Sequence, residues 1–220
     1  MTKHTVAPTC KCGGPFSSSR IVGGAVIPPH SLPFQVGLTI AGGTVPFCGG
    51  SLISNNYVLT AAHCTIGRVA SSIQVIVGDH SFSVTGDGEQ IFNVQNILVH
   101  PLFNPFNMWS YDYSILRLAT TVTIPSATTG VVCLPPDVSQ TFVGTTLTVS
   151  GWGLTSGGGF QSPALKSTIL TGISNDDCLS YFGAGNIGAW HICAIGNTTG
   201  SSACNGDSGG NFNLIFNLYY

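Results

Sequence analysis

The chain has 220 residues, of which 43% are hydrophobic and only 6% charged, with a formal net charge of −2. That hydrophobic content supports a sizeable buried core and excludes a disordered chain, while the weak negative charge excludes nucleic-acid binding driven by electrostatics. No run of 18 apolar residues is present, so the sequence contains no membrane-spanning segment of helical type, and eight cysteines point to an oxidising compartment.

Residues 1–20 are polar and rich in Pro, Gly and Ser, and read as an extended leader ending at Arg20. Met1–Pro8 has neither a charged start followed by an apolar run nor a small-residue cleavage site. The character changes at Ile21-Val22-Gly23-Gly24. From Ile21 onward the basic residues are Arg68, Arg117 and Lys166, against all eight acids. Such a chain offers few cut sites to enzymes that cleave after Lys or Arg, which suits life among proteases.

Short runs rich in Val, Ile, Leu, Phe and Thr then follow, bounded by Gly, Pro and Asn. They predict strands at Phe34–Ile40, Phe47–Ser54, Tyr57–Ala61, Ser72–Gly78, Gln90–Val99 and Tyr113–Leu118. A second group is predicted at Thr145–Gly151, Leu165–Gly172, His191–Ile195 and Phe212–Tyr219. Thr120–Gly130, without charge, separates the two groups. Helix signal is scarce; the clearest is Ser174 capping Asn175–Tyr181, with Asp176 and Asp177 in the first turn. Repeated strands at this spacing predict an all-β barrel or sandwich.

Three segments carry candidate chemistry. Cys204-Asn205-Gly206-Asp207-Ser208-Gly209-Gly210 places a serine hydroxyl on a loop of small residues, whose backbone N–H groups can approach a substrate carbonyl. Such clusters are also ordinary turn chemistry. Upstream, His63 stands in Thr60-Ala61-Ala62-His63-Cys64, and Asp112 lies between two tyrosines at the head of an apolar strand. A serine hydroxyl needs a base within hydrogen-bond reach, histidine has the right pKa, and a carboxylate fixes its tautomer. A buried Asp112 needs a partner in any case.

Taken with Ile21-Val22-Gly23-Gly24, Cys48-Gly49-Gly50-Ser51-Leu52, Asp112-Tyr113-Ser114-Ile115-Leu116 and Ser150-Gly151-Trp152-Gly153, these segments make the sequence resemble the trypsin/chymotrypsin family of serine endopeptidases. The resemblance runs from Ile21 to Gly210. It implies two six-stranded antiparallel Greek-key barrels over residues 21–128 and 129–220, preceded by an activation peptide over residues 1–20. Because only twelve residues follow Ser208, the second barrel is expected to be incomplete at its C-terminal end. It further implies Ser208 as nucleophile, His63 as general base, Asp112 as orienting carboxylate, and the N–H groups of Gly206 and Ser208 as oxyanion hole. Cleavage at Arg20–Ile21 would free an ammonium that pairs with Asp207, so the uncut chain is expected to be a zymogen.

The same resemblance implies disulfides Cys48–Cys64 and Cys178–Cys193, with Cys133 tethering the leader through Cys10 or Cys12. One leader cysteine and Cys204 are then left over. Ser202 falls at the base of the primary substrate pocket, where a serine rather than an acid argues against preference for Arg or Lys. Asn211 stands where proline is usual. Asp79 and Glu89 resemble the ends of a calcium loop, although Gly86 occupies a position where another acid is expected, and the reading is that the protein needs no cofactor. Asn197-Thr198-Thr199 is a glycosylation acceptor pattern, and His30, His80, His100 and His191, lacking metal-ligand spacing, are taken as structural.

The expected activity is that of a secreted peptidase acting on protein or peptide substrates, switched on by an activating protease, with no nucleic-acid or membrane partner. The competing expectation is an inactive, truncated relative serving as a binding module.

Overall fold

The computed structural model describes residues 24–107, 110–134, 141–155, 159–183, 187–196, 203 and 205–212. Arg20, Ile21, Ser202, Cys204, Cys10, Cys12 and the Asn197 pattern lie outside the described residues, as does most of the predicted strand after Phe212.

Six strands of the first group close into an antiparallel barrel. They are β2 (Gln35–Ile40), β3 (Cys48–Leu52), β4 (Tyr57–Thr60), β5 (Ile73–Val77), β6 (Gln90–Val99) and β7 (Ser114–Leu118), in the order β2-β3-β4-β7-β6-β5. The period-two pattern explains which faces turn inward. On β7, Ser114, Leu116 and Leu118 are buried while Arg117 is exposed. The barrel interior is filled by Val36, Leu38, Leu52, Val58, Val75 and Leu116, none of which retains solvent exposure. Burying a side chain of this size contributes about 1.5–3 kcal/mol, so this cluster dominates the stability of the first half. An irregularity on β6 between Val94 and Asn96 shifts its register against β7. A bulge of this kind increases local twist and helps a sheet close.

β3 is buried on both faces, which alternation alone does not predict. One face lines the barrel, and the other lies under the loop that carries Ser208. Gly49 and Gly50 make this possible, because each is approached so closely that a side chain would collide with its neighbours.

The second group forms a five-stranded antiparallel sheet. β1 (Ala25–Val26), β9 (Lys166–Ile173), β8 (Thr146–Gly151) and β11 (Asn211–Phe212) run in the order β1-β9-β8-β11, and β10 (Cys193–Gly196) also pairs with β9. Leu147, Val149 and Leu170 form its core, and Trp152 joins Ile27, Leu32, Phe34 and Leu165 in a separate cluster. Among the described residues there is therefore one closed barrel and one open sheet, rather than two closed barrels. The predicted helix is present as α2 (Asn175–Phe182), with the Ser174 hydroxyl accepting from the Asp177 N–H at 3.0 Å. A four-residue α1 (Ala62–Thr65) follows β4.

Candidate active site

His63 stands on α1, immediately after β4. Asp112 lies just before β7, which pairs with β4 in the register Thr60↔Ser114. The barrel pairing thus brings residues 49 positions apart to one end of the sheet. The Asp112 carboxylate is buried, with only 2% of its side chain exposed, and both of its oxygens are used. Oδ1 accepts from the His63 backbone N–H at 2.7 Å, and Oδ2 lies 2.6 Å from His63 Nδ1. An ionised carboxylate can only accept, so the imidazole proton belongs on Nδ1 and Nε2 is left with its lone pair. An imidazole in that tautomer can take a proton from a hydroxyl.

Local sequence explains the inward turn of Asp112. Tyr111 has a left-handed backbone (φ 58°), rare for a bulky residue and found where the surrounding structure enforces it. Its ring stacks on His100, with centroids 4.8 Å apart, and His100 also meets Tyr113 at 4.5 Å. These rings wall the segment that carries the carboxylate. Burial raises the Tyr113 hydroxyl above its usual pKa, and the neighbouring Tyr111 adds to the shift.

Ser208 reaches this end of the barrel from 145 residues further along the chain. The Gly49 N–H donates to the Ser208 carbonyl at 2.8 Å, and that carbonyl lies 3.7 Å from Cys64 Sγ, one residue beyond His63. Gly209 adopts φ 73° and packs against Thr60 and Ala61 so closely that a Cβ would collide with the Thr60 hydroxyl. Thr60 itself donates to the Gly49 carbonyl at 2.7 Å. The loop is therefore clamped to β3 and β4 through its backbone, leaving the serine hydroxyl uncommitted to holding the loop in place.

Asp207 is the second carboxylate of the site. The Gly153 N–H donates to its Oδ1 at 2.7 Å, and a Cβ at Gly153 would sit 2.5 Å from the carboxylate. Gly151 is approached just as closely. The glycines of Ser150-Gly151-Trp152-Gly153 are thus explained: they form a cradle that only hydrogen atoms can line. The motif was visible in the sequence, but its purpose was not. Two glycines flanking a large aromatic were the available signal, because such a pair marks a backbone approached from one side while the ring anchors it on the other. Trp152 is buried and its Nε1 donates to the His80 carbonyl at 3.1 Å, fixing the cradle to the first half. Gln35 and Ser150, whose pairing the sequence did not reveal, join the halves through a 2.8 Å bond from the Ser150 hydroxyl to Gln35 Oε1.

Both expected disulfides, Cys48–Cys64 and Cys178–Cys193, are present. Cys133 is also disulfide-bonded. Cys48, His63 and Cys64 place a ligand atom each within 4.8 Å of one another, but the two sulfurs are spent in the disulfide, so this is no metal centre.

The loop from Gly78 to Glu89 has a separate electrostatic character. Asp79 is buried, and burial together with the charges of Asp87 and Glu89 pushes its pKa up to about 7. Asp79 Oδ1, Asp87 Oδ1 and Glu89 Oε2 are shielded from solvent without a hydrogen-bond partner. These hard oxygens have the chemistry that calcium requires, but the three carboxylates are not drawn into one cluster, so the loop as folded offers donors without a closed cage. Of the four histidines taken as structural, His191 is buried and accepts from the Gly188 N–H at 2.8 Å, and His100 serves the aromatic wall. His80 has its pKa lowered by burial.

Two measurements follow. Gly153→Ala should destabilise the chain by about 1–3 kcal/mol in denaturant unfolding, and combining it with Asp207→Ala should remove most of that cost. Additive effects would contradict the cradle. For Asp79, the folded pKa near 7 lies above the ordinary value of 3.8, so the folded chain binds the proton more tightly and stability from this group falls as pH rises between those values. With a chelator present, Asp79→Asn should therefore melt above the unsubstituted chain at pH 8, the gap narrowing towards pH 4. A lower melting temperature for the variant at pH 8 would contradict this.

The sequence matches the trypsin family over residues 21–217. It is 36% identical to chymotrypsin-like elastase family member 1 of Rattus norvegicus across 211 residues, covering 94% of this chain and 77% of the relative. It is also 36% identical to trypsin 5G1 of Aedes aegypti, covering 88% of this chain and 71% of that protein. The human chymotrypsin-like elastase family member 1 is 34% identical, with 94% and 80% covered. With the closed β-barrel, the disulfide beside His63 and the glycine-clamped serine loop, these matches establish that the chain belongs to the trypsin family of serine proteases.

Proposed function

We propose that this protein is a secreted serine endopeptidase that hydrolyses peptide bonds through an acyl-enzyme, with Ser208 as nucleophile, His63 as general base and acid, and Asp112 as orienting carboxylate. The observation that carries the reading is the His63–Asp112 couple, 2.6 Å from Nδ1 to Oδ2, with Nε2 left to accept a proton. In the first step Ser208 Oγ attacks the substrate carbonyl carbon while its proton passes to His63 Nε2. The carbonyl oxygen becomes an oxyanion held by the N–H groups of Gly206 and Ser208, an interaction worth roughly 3–4 kcal/mol in the transition state. Collapse of the tetrahedral species breaks the C–N bond, and His63 returns the proton to the leaving amine. Water, deprotonated by the same imidazole, then attacks the ester and frees Ser208.

The Asp207 cradle supports a zymogen reading. A carboxylate recessed against backbone favours a cation as partner, and the Ile21 ammonium released by cleavage at Arg20–Ile21 would supply it. In this account residues 1–20 are the activation peptide, residues 21–128 the first barrel, and residues 129–220 the strands of a second. Ser202 at the pocket base would favour apolar or mixed side chains. The activating enzyme would be a protease that cuts after a basic residue. The net charge of −2 argues against nucleic acid as a partner. No described helix is long and apolar enough to cross a membrane. Disulfide bonding supports secretion. The nucleophile, base and oxyanion donors are all groups of the chain, so the reaction as drawn calls on no cofactor.

A fluorophosphonate probe tests the reading. A chain cut between Arg20 and Ile21 should label stoichiometrically at Ser208, with labelling abolished in Ser208→Ala and slowed by about 10⁴-fold in Asp112→Asn. A folded, cut chain that does not label would overturn the peptidase assignment in favour of an inactive binding relative.

A further inference from the structure

Arg68, five residues beyond His63 in the chain, has no acidic partner among the described residues. Arg68 follows α1 by three residues, and its guanidinium carbon lies 4.3 Å from the centre of the Phe47 ring. Its Nε donates to the Cys64 carbonyl at 3.0 Å. Phe47 precedes Cys48, Cys64 follows His63, and the two cysteines are bonded to each other. The guanidinium is thus held at two points, one on the residue before Cys48 and one on Cys64 itself, the two ends of the disulfide that abuts His63. Arg68 is exposed, and the only ion pair among the described residues is His63–Asp112. After Nε, four N–H donors of the fork are left, in the geometry that suits a carboxylate.

The ledge that carries Arg68 continues into the site. Phe47 is preceded by Pro46, whose carbonyl accepts from Gln161 Nε2 at 2.7 Å, and Gly206 lies against the same Gln161 side chain. A path of packed groups therefore runs from the Gly206 loop through Gln161 and Pro46 to Phe47 and Arg68. If the scissile carbonyl oxygen points at Gly206 and Ser208, the leaving nitrogen must face His63, from which it takes its proton. The substrate chain beyond that nitrogen then runs past the disulfide that abuts His63, whose two ends carry the Phe47–Arg68 pair.

We propose that Arg68 is a specificity-determining residue that binds a carboxylate on the leaving-group portion of the peptide, within a few residues of the cleaved bond. The direction assigned to the peptide rests on the serine-peptidase reading; the carboxylate site itself does not. Two sources supply such a group, an Asp or Glu side chain and the free C-terminus of a short peptide. The Phe47 ring and the Cys64 carbonyl hold the fork in place before the ligand arrives, so little freedom is lost on binding.

Equilibrium binding separates this claim from catalysis. The full chain carrying Ser208→Ala, cut after Arg20, is titrated with fluorescein-labelled hexapeptides bearing an apolar residue followed by Glu, Gln or Lys at each of three positions, with free or amidated C-termini. Anisotropy should report Glu bound about fivefold more tightly than Gln at one position, the preference shrinking as salt is raised. Adding Arg68→Gln should abolish the preference, and Arg68→Glu should transfer it to Lys. A preference restricted to unamidated peptides assigns the carboxylate to the chain terminus; one that survives amidation assigns it to a side chain. Equal affinity for Glu and Gln with both kinds of terminus, a preference unchanged by Arg68→Gln, or no binding of any peptide overturns the proposal. The same peptides offered to the Ser208 chain test the peptidase reading on its own: selective binding without hydrolysis would leave the Arg68 site standing and remove the catalytic one.

Discussion

A carboxylate removed from water has to be compensated, and Asp112 imposes that requirement on everything around it. Leaving such a charge unpaired costs several kcal/mol, more than most single interactions in a domain return. Among the described residues the compensation comes from His63, whose backbone N–H and Nδ1 occupy the two oxygens at 2.7 and 2.6 Å. That arrangement exists only if β4 and β7 pair in one register, because a slip of one residue would turn Asp112 to the other face. The left-handed backbone at Tyr111 and the ring wall of His100, Tyr111 and Tyr113 follow from the same need to hold a charge in a dry place. The apolar barrel and the polar couple are therefore two aspects of one closure.

The second half meets this couple mainly through backbone. Ser208 and Gly209 dock on Gly49, Thr60 and Ala61, and the Asp207 carboxylate turns away into the Gly151–Gly153 cradle. Small residues are needed at each of these meeting points because the chains approach more closely than a Cβ permits. Gln35–Ser150 and Trp152–His80 tie the same two regions together from below. The consequence for chemistry is that the serine loop is positioned without spending its hydroxyl. That is a requirement for a nucleophile whose only partner should be its base.

Much of the architecture could be read from local sequence. Apolar β-branched runs bounded by Gly, Pro and Asn located β2 to β10 to within a residue or two, while the last predicted strand runs beyond the described residues; the Ser174 cap located α2, since both signals depend on neighbours close along the chain. The residue types at His63, Asp112 and Ser208, with the family-like motifs that frame them, suggested chemistry before any coordinates, and the structure brings the first two into contact and the Ser208 backbone beside Cys64. What escaped notice depends on distant partners. The two-residue β1 has no pattern of its own and exists by pairing with β9 some 140 residues away. Gln35–Ser150 and Gln161–Pro46 each span 115 positions, and neither residue type announces a partner. Arg68 looked like any exposed cation until the Phe47 ring was found beneath it.

Nitrogen-15 NMR of the cut chain, with label in its histidines, reads the central claim at the atom where it acts. The account predicts that neutral His63 carries its proton on Nδ1, that Nε2 shows the shift of a bare ring nitrogen, and that this Nε2 signal moves when Ser208 is replaced by Ala. A proton resident on Nε2 in the neutral ring, or an Nε2 signal indifferent to Ser208→Ala, would contradict it.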